Sequence, residues 1–344
     1  FFKNIFNTLC LLFLAGNLYS QQTVWVKATA SGLADGSSEA NAFGSFTTAL
    51  VQINSATDVL RVVGTVPAGS QTLTKAFAYT IQGDAGGSTL SGVTGSTARM
   101  FTINAASSGQ NVTFKNITFS GQSSSIAAGG AVLFSNQAGV TINFENCRFN
   151  GNTITSTTAA AGGALAISVS TLNITDCLFK ENTAVRDGGA ISIGLGTTAT
   201  LTRCTFYKNK TTSATAAQGG GALFVTGATA VVNAYNCTFF QNTTGITDQS
   251  YGTIRTNSGT TKVYNSLFYD NKVTNTTVSP PVLGGPSDWG SSPNGTQSFS
   301  NSIGQWITSN IDFVTNSKTF VKGGLDPLAA ANLTSSNLTY DDAL

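Results

Sequence analysis

The chain has 344 residues, of which 9% are charged and 41% hydrophobic, with 37 glycines, 6 prolines, no histidine and a formal net charge of +2. Its polarity rests on Ser, Thr, Asn and Gln, which suits a β-rich extracellular scaffold better than a helical enzyme. The few Lys and Arg are scattered, which argues against nucleic acid or an anionic membrane as partner, and the lack of imidazole removes chemistry that depends on it.

Residues 1–20, "FFKNIFNTLCLLFLAGNLYS", set Lys3 ahead of an apolar run that ends in small and polar residues. This pattern predicts a secretory signal peptide cleaved near Ser20. The apolar run covers about a dozen residues, whereas a spanning helix needs roughly 20. Cys10 lies inside the run, which argues against lipid attachment. No later segment is long and apolar enough to span a bilayer, so the mature chain is expected outside a bacterial cell, secreted or at its surface, with no integral membrane segment. Residues 21–57 read as an N-terminal strand and a capping helix. In "SFTTALVQI", 45–53, Phe46, Ala49, Leu50 and Ile53 fall on one helical face, as the plug of an open solenoid end requires.

From residue 58 to 344 the chain reads as a solenoid. "DVLRVVGTV" and "YTIQGD" are expected as strands of its first coil, and "RMFTINAASSGQNVTFKNITF" as the second. Clear repeats span 99–272. "GGAVLFSNQAGVTINFENCRFNGN" (129–152), "GGALAISVSTLNITDCLFKEN" (162–182), "GGAISIGLGTTATLTRCTFYKN" (188–209) and "GGALFVTGATAVVNAYNCTFFQN" (220–242) are followed by a degraded copy, "YGTIRTNSGTTKVYNSLFYDN" (251–271). Their Phe residues, Phe119, Phe149, Phe179, Phe206, Phe239 and Phe268, are spaced by 30, 30, 27, 33 and 29 residues. Periods of this size mean a solenoid or a propeller. Each copy offers two or three short alternating strands and no helix-length pattern, which excludes helical solenoids and leaves too few strands for a propeller blade. The fold class is therefore all-β, a right-handed parallel β-helix of roughly eight coils with an N-terminal helical cap.

Stacking equivalent residues coil on coil predicts three ladders. The Phe positions form an inward aromatic stack. Cys147, Cys177, Cys204 and Cys237, with Ile117 and Ser266 at the same position in flanking copies, form an inward column of free, buried thiols in a slot of limited size. Asn152, Asn182, Asn209, Asn242 and Asn271, with Gln122, form a column of amides that hydrogen-bond up and down. The paired glycines mark a tight bend. Variable inserts, from "TAVR" to "TITSTTAAA", fall between each Asn and the next Gly pair and are expected along one edge. Residues 273–344 are expected to be irregular: "VSPPVLGGPSDWGSSPNG" is loop-rich, "SFSNSIGQW" resembles a last, imperfect coil, and "SSNLTYDDAL" offers no cap, which leaves room for a continuation past Leu344.

Gly-Gly-Ala followed by an aliphatic residue, paired in order with Phe-x-x-Asn at a fixed period, resembles the repeat of the polymorphic outer-membrane proteins of chlamydiae. Four copies of the first motif and five of the second occur over about 129–271. The front end, "VWVKATASGLADGSSEANAFGSFTTAL", is similar to the opening of many secreted bacterial β-helix proteins. The resemblance implies a surface-exposed or secreted protein associated with adhesion. It transfers no catalytic residue, and the C-terminal membrane barrel of that family is not evident here.

Two functions compete. A polysaccharide lyase or hydrolase needs clustered acids with a base, or two positioned carboxylates. The repeat-region acids, Glu145, Asp176, Glu181, Asp187, Asp248 and Asp270, do not gather on one face. The best catalytic candidates are Glu181, Arg186 and Asp187, whose simpler reading is a solvated turn. No cofactor or structural metal is expected, and calcium dependence stays open. The second reading is a monomeric adhesin-like scaffold that binds a surface glycan or a protein. The residue after each ladder Phe runs Ser120, Asn150, Lys180, Tyr207, Phe240, Tyr269, and the residue two before the Cys position switches from Glu145, Thr175 and Thr202 to Tyr235 and Tyr264. Tyr207, Tyr235, Phe240, Tyr264 and Tyr269 are thus the candidate ligand-binding residues, able to stack on sugars or anchor a partner, unless the segments around Trp289 and Trp306 fold back over them. An ice-binding face is a third, weaker reading, since outward Thr residues such as Thr175 and Thr202 make no long array.

Overall fold

The computed structural model describes residues 21–103, 109–126, 130–158, 162–213, 219–245, 252–275, 282–286, 289–300, 302–304, 311–313 and 318–319. The predicted leader over 1–20, Asp248, Trp306 and parts of several inserts lie outside these residues.

The described chain is an all-β parallel solenoid built from three sheets. In the coil that begins at Gly162, Leu165–Ser168 and Thr171–Thr175 belong to the first sheet, Leu178–Lys180 to the second and Thr183–Ala184 to the third. A coil therefore has four strand segments where the repeat pattern predicted two or three. Alternation decides which side chains point in: within Thr171–Thr175, Leu172 and Ile174 are buried while their neighbours face out.

Corners between segments fall on residues held at positive φ. Between the first and second sheets these are Asn116, Asn146, Asp176, Arg203, Asn236 and Asn265, and after the second sheet Gly121, Gly151, Glu181, Lys208, Gln241 and Asp270. Asn, Asp and Gly enter the left-handed region at least cost. Arg203, a poorer fit, grips the carboxylate of Asp176 in the adjacent coil through Nε and Nη2 at 2.7 and 2.8 Å.

One parallel ladder of the first sheet runs without interruption from Thr23–Lys27 through Val59–Val63, Ala78–Gly83 and Asn111–Lys115 into the repeats. Val59–Val63 and Ala78–Gly83 pair with one another, so they belong to successive coils and not to one first coil as predicted. The segments between them carry neither Gly-Gly-Ala nor Phe-x-x-Asn, so the motif could not separate the turns. At the other end, Trp289–Ser300 pairs with Ile254–Tyr264 and is followed by Ile311–Phe313, a rung beyond the coil predicted as the last. Val282–Pro286, within the segment predicted as loop, pairs antiparallel to Lys272–Asn275.

The three predicted ladders are present. Phe149 and Phe179 stack at 4.4 Å between ring centroids, Phe179 and Phe206 at 4.9 Å, Phe206 and Phe239 at 4.8 Å, and Phe239 and Phe268 at 4.6 Å. The four cysteines are free and buried. Their column also carries hydrogen bonds that size alone did not predict: Cys147 N–H donates to Cys177 Sγ, and Cys237 N–H to Ser266 Oγ, so Ser substitutes for Cys as an acceptor. In the Asn column, Asn182 Oδ1 accepts from the backbone N–H and the Nδ2 of Asn152, and Asn182 Nδ2 donates to Asn209 Oδ1 and to Phe149 O. At the glycine bend, a Cβ on Gly189 would lie 1.9 Å from Gly221 O, so the chain passes too closely there for any side chain.

Helix α1 (Phe46–Val51) starts at Ser45, whose side chain accepts from Thr48 N–H, and buries Phe46, Ala49 and Leu50. Phe46 meets the core edge-on at Phe101, 5.8 Å between centroids. The carboxylate of Asp58 then gathers the N–H groups of Gln22, Asn54 and Ser55 together with the Ser55 hydroxyl. Burial opposes its ionisation, but these bonds outweigh it and hold the carboxyl below its usual range. Among the described residues no helix is long and apolar enough to cross a membrane.

Candidate functional site

The outer face of the second sheet collects most of the predicted ligand-binding residues. Its strands are three or four residues long in the repeats and alternate strictly around the ladder Phe, so one side chain before it and one after it point outward. Register stacks the outward residues into two columns. One runs Thr118, Arg148, Leu178, Thr205, Thr238, Leu267, and the other Ser120, Asn150, Lys180, Tyr207, Phe240, Tyr269. No acidic side chain occurs in either column between Thr118 and Tyr269.

Tyr207 and Phe240 stack at 5.3 Å and 11°, and Phe240 and Tyr269 at 5.3 Å and 14°. The rings thus lie face to face along the solenoid axis, each offset on the next. What they offer outward is a strip of ring edges tipped by the Tyr207 and Tyr269 hydroxyls. This corrects the expectation that sugars would stack on open ring faces, because the neighbouring rings already take up much of those faces. Lys208, at the corner after Tyr207, sets its Nζ over the Tyr207 ring at 5.0 Å from the centroid. A hydrogen bond with the Tyr207 side chain holds the Lys208 ammonium above its ordinary pKa.

The same face continues in the earlier coils as a shallow cavity of about 270 Å³ lined by Thr118, Arg148, Phe149, Asn150, Leu178 and Lys180. A second cavity, of about 220 Å³, adjoins it across Thr118 and Arg148. Arg148 is exposed and makes no ion pair among the described residues. Sequence reasoning did not place Arg148, Asn150, Lys180 and Lys208 in the site. The repeat period carried the signal, since Asn150 and Lys180 share the position of Tyr207 and Arg148 lies two residues before Asn150.

Tyr235 and Tyr264 form a separate stacked pair, 4.9 Å apart at 8°, at the outer edge of the first sheet. A corner and the turn into the second sheet separate this pair from the Tyr207 column. Tyr235 is the more open, 37% exposed. Trp289 lies on a first-sheet strand in register with Ile254, not on a segment laid over the second sheet.

The three catalytic candidates are not brought into one site. Glu181 is an exposed corner residue at positive φ, 3.9 Å from Lys180 Nζ. Arg186 and Asp187 sit in the turn before the Gly188–Gly189 bend, and Asp187 is buried. Burial raises its carboxyl to a pKa of about 6, although the Arg186 and Arg255 charges and the Gly219 N–H pull it down. Arg186 Nε is 3.8 Å from Asp187 Oδ2, and Asp187 Oδ1 has no hydrogen-bond partner among the described residues. No group of three or more Cys, Asp or Glu side chains gathers in metal-binding geometry among the described residues.

No protein-family model and no curated protein sequence matches the chain. Among solved structures the chain is similar to pectate lyase Pel9A, at 14% identity over 88% of this chain and 80% of that one, with a TM-score of 0.47. It is also similar to the deglycosylated pectin methylesterase from Aspergillus niger, at 14% identity, 91% and 93% coverage and a TM-score of 0.43. A pectin methylesterase in complex with a hexasaccharide is similar at 12% identity, 94% and 97% coverage and a TM-score of 0.45. At these values the similarity assigns neither a reaction nor a ligand to this chain.

Proposed function

We propose that the protein is an exported, adhesin-like β-solenoid that binds a glycan through the outer face of its second sheet and does not transform it. The observation that carries this reading is the Tyr207–Phe240–Tyr269 strip, an evenly spaced amphipathic row at one-coil spacing. Ring edges and phenol hydroxyls at one-coil spacing suit a polymer whose units also repeat, since each sugar meets the same chemistry as the last. The reading extends to a monomer whose mature form starts near residue 21, secreted or held at a bacterial surface. It includes right-handed winding, roughly eight coils, α1 as the end cap, and kinship with the polymorphic outer-membrane protein repeat.

The test incubates residues 21–344 with immobilised polysaccharides, with and without calcium, and scores both retention and new chain ends. Retention without new ends is expected, reduced more than about tenfold in a Tyr207→Ala, Phe240→Ala, Tyr269→Ala variant that keeps its thermal midpoint within a few degrees. The competing reading is a polysaccharide-degrading enzyme. The single observation in its favour is the buried Asp187 carboxyl poised near pH 6 beside Arg186. New chain ends that disappear in Asp187→Asn would establish it and end the adhesin proposal.

A further inference from the structure

The second-sheet face also has a charge preference. We infer that its ligand is an acidic glycan, a polymer bearing carboxylate or sulfate groups; this rests on the glycan-binding reading above. Three observations point the same way. First, an aromatic ring carries its negative potential on its faces and its positive potential on its edge. In this strip Phe240 has one face against Tyr207 and the other against Tyr269, so its outward side is the positive edge. Second, the phenol of Tyr207 adds an O–H donor on the same line. Third, Lys180 lies one rung from Tyr207 in the same column, Arg148 lies one rung further in the adjacent column, and Lys208 leans over Tyr207.

The local acids do not cancel these charges. Glu145 is taken by Lys115 at 2.9 Å and Asp176 by Arg203. Asp270 is engaged by Lys272 and by Gln241. Glu181 lies 3.9 Å from Lys180 Nζ, and both members of that pair are well exposed. Such a pair is weak, so Lys180 can exchange it for a ligand anion.

Lys180 to Tyr269 spans three rungs, about 14 Å at the usual strand spacing. A short oligosaccharide laid along the axis would cover it, with an anionic group in the Arg148–Asn150–Lys180 cavity and successive rings along the aromatic edges. The same ring chemistry recurs at each rung from Tyr207 to Tyr269, which matches a polymer of repeating units better than the irregular surface of a folded protein.

The experiment measures binding of residues 21–344 to two matched pairs: alginate against the same alginate with its carboxyls reduced, and dextran sulfate against dextran. The inference expects one charged member to bind at least about tenfold more tightly than its neutral partner at low salt, with the preference shrinking as salt rises. The pair that shows it identifies carboxylate or sulfate. In Arg148→Gln/Lys180→Gln the preference should vanish while weak binding of the neutral partner persists, and in Phe240→Ala both members should weaken. Equal binding of charged and neutral partners overturns the acidic-ligand inference and leaves the glycan reading standing. Binding to none of the four, or to polyglutamate as tightly as to alginate, overturns both.

Discussion

Asn182 shows how much one buried residue can hold in a repeated structure. Its amide oxygen accepts two hydrogen bonds from Asn152, and its amide nitrogen donates to the coil on either side. Alanine would leave several buried donors and acceptors unpaired at roughly 1–3 kcal/mol each, so Asn182→Ala should destabilise the protein by about 3 kcal/mol or more in urea unfolding. The thiols obey a different rule. Burial raises the Cys177 thiol far above its ordinary pKa, and the hydrogen bond with Cys204 and burial do the same for Cys237. All four cysteines are buried, so Cys147, Cys177, Cys204 and Cys237 should resist a thiol-disulfide reagent in the native protein and react together on unfolding. Asp187 contributes the opposite slope from that of an ion-paired acid. Its carboxyl titrates near 6 when folded and near 3.8 when unfolded, so the folded state binds the proton more tightly. Stability should be highest below about pH 4 with respect to this group and fall by up to about 3 kcal/mol as pH rises through 6. A flatter stability profile between pH 4 and 6 in Asp187→Asn, read from thermal midpoints, is the expected result.

At the scale of the coil, the ladder Phe is the largest single contribution to the core. Phe179 is fully buried and sandwiched between Phe149 and Phe206. Phe179→Ala should cost about 3–5 kcal/mol, measurable by denaturant titration, because the stacked rings on either side cannot close over the space. The coil is also where the sequence was most readable. When each position stacks on its own equivalent, periodicity alone assigns Phe, Cys and Asn to their columns. The runs "ALAISV" and "TLNIT" read as separate strands, and they are, with Val169 at positive φ between them; the two-residue strand Thr183–Ala184 was too short for any alternation to show. Nor could periodicity assign the early turns from Thr23 to Ser91, which share the architecture without the motif. For the site, Tyr207, Phe240 and Tyr269 were legible as one column. Sequence position does not specify rotamer, so the face-to-face stacking that turns ring edges outward was not. Arg148 stayed hidden because it stands in the adjacent column.

For the whole molecule, the low charge content and the scattered Lys and Arg conceal a local bias. The outer columns of the second sheet carry Arg148 and Lys180 and no acid, while several carboxylates of neighbouring surfaces are tied to their own cations. A net charge of +2 gives no sign of this, because the preference comes from the pairing of charges and not from their sum.

The one-coil hand-off of hydrogen bonds, in which the Asn residues and strands of the repeats bond to the turns directly before and after them, also shapes how such a protein can change over generations. Excising residues 150–179 would join Phe149 to Lys180 and bring Asn182 to the place of Asn152, with each column still in step. Losing half that length would put apolar side chains in the solvent. Descendants can therefore gain or lose whole turns, and lengthen or shorten the strip they present, without having to invent a new interior.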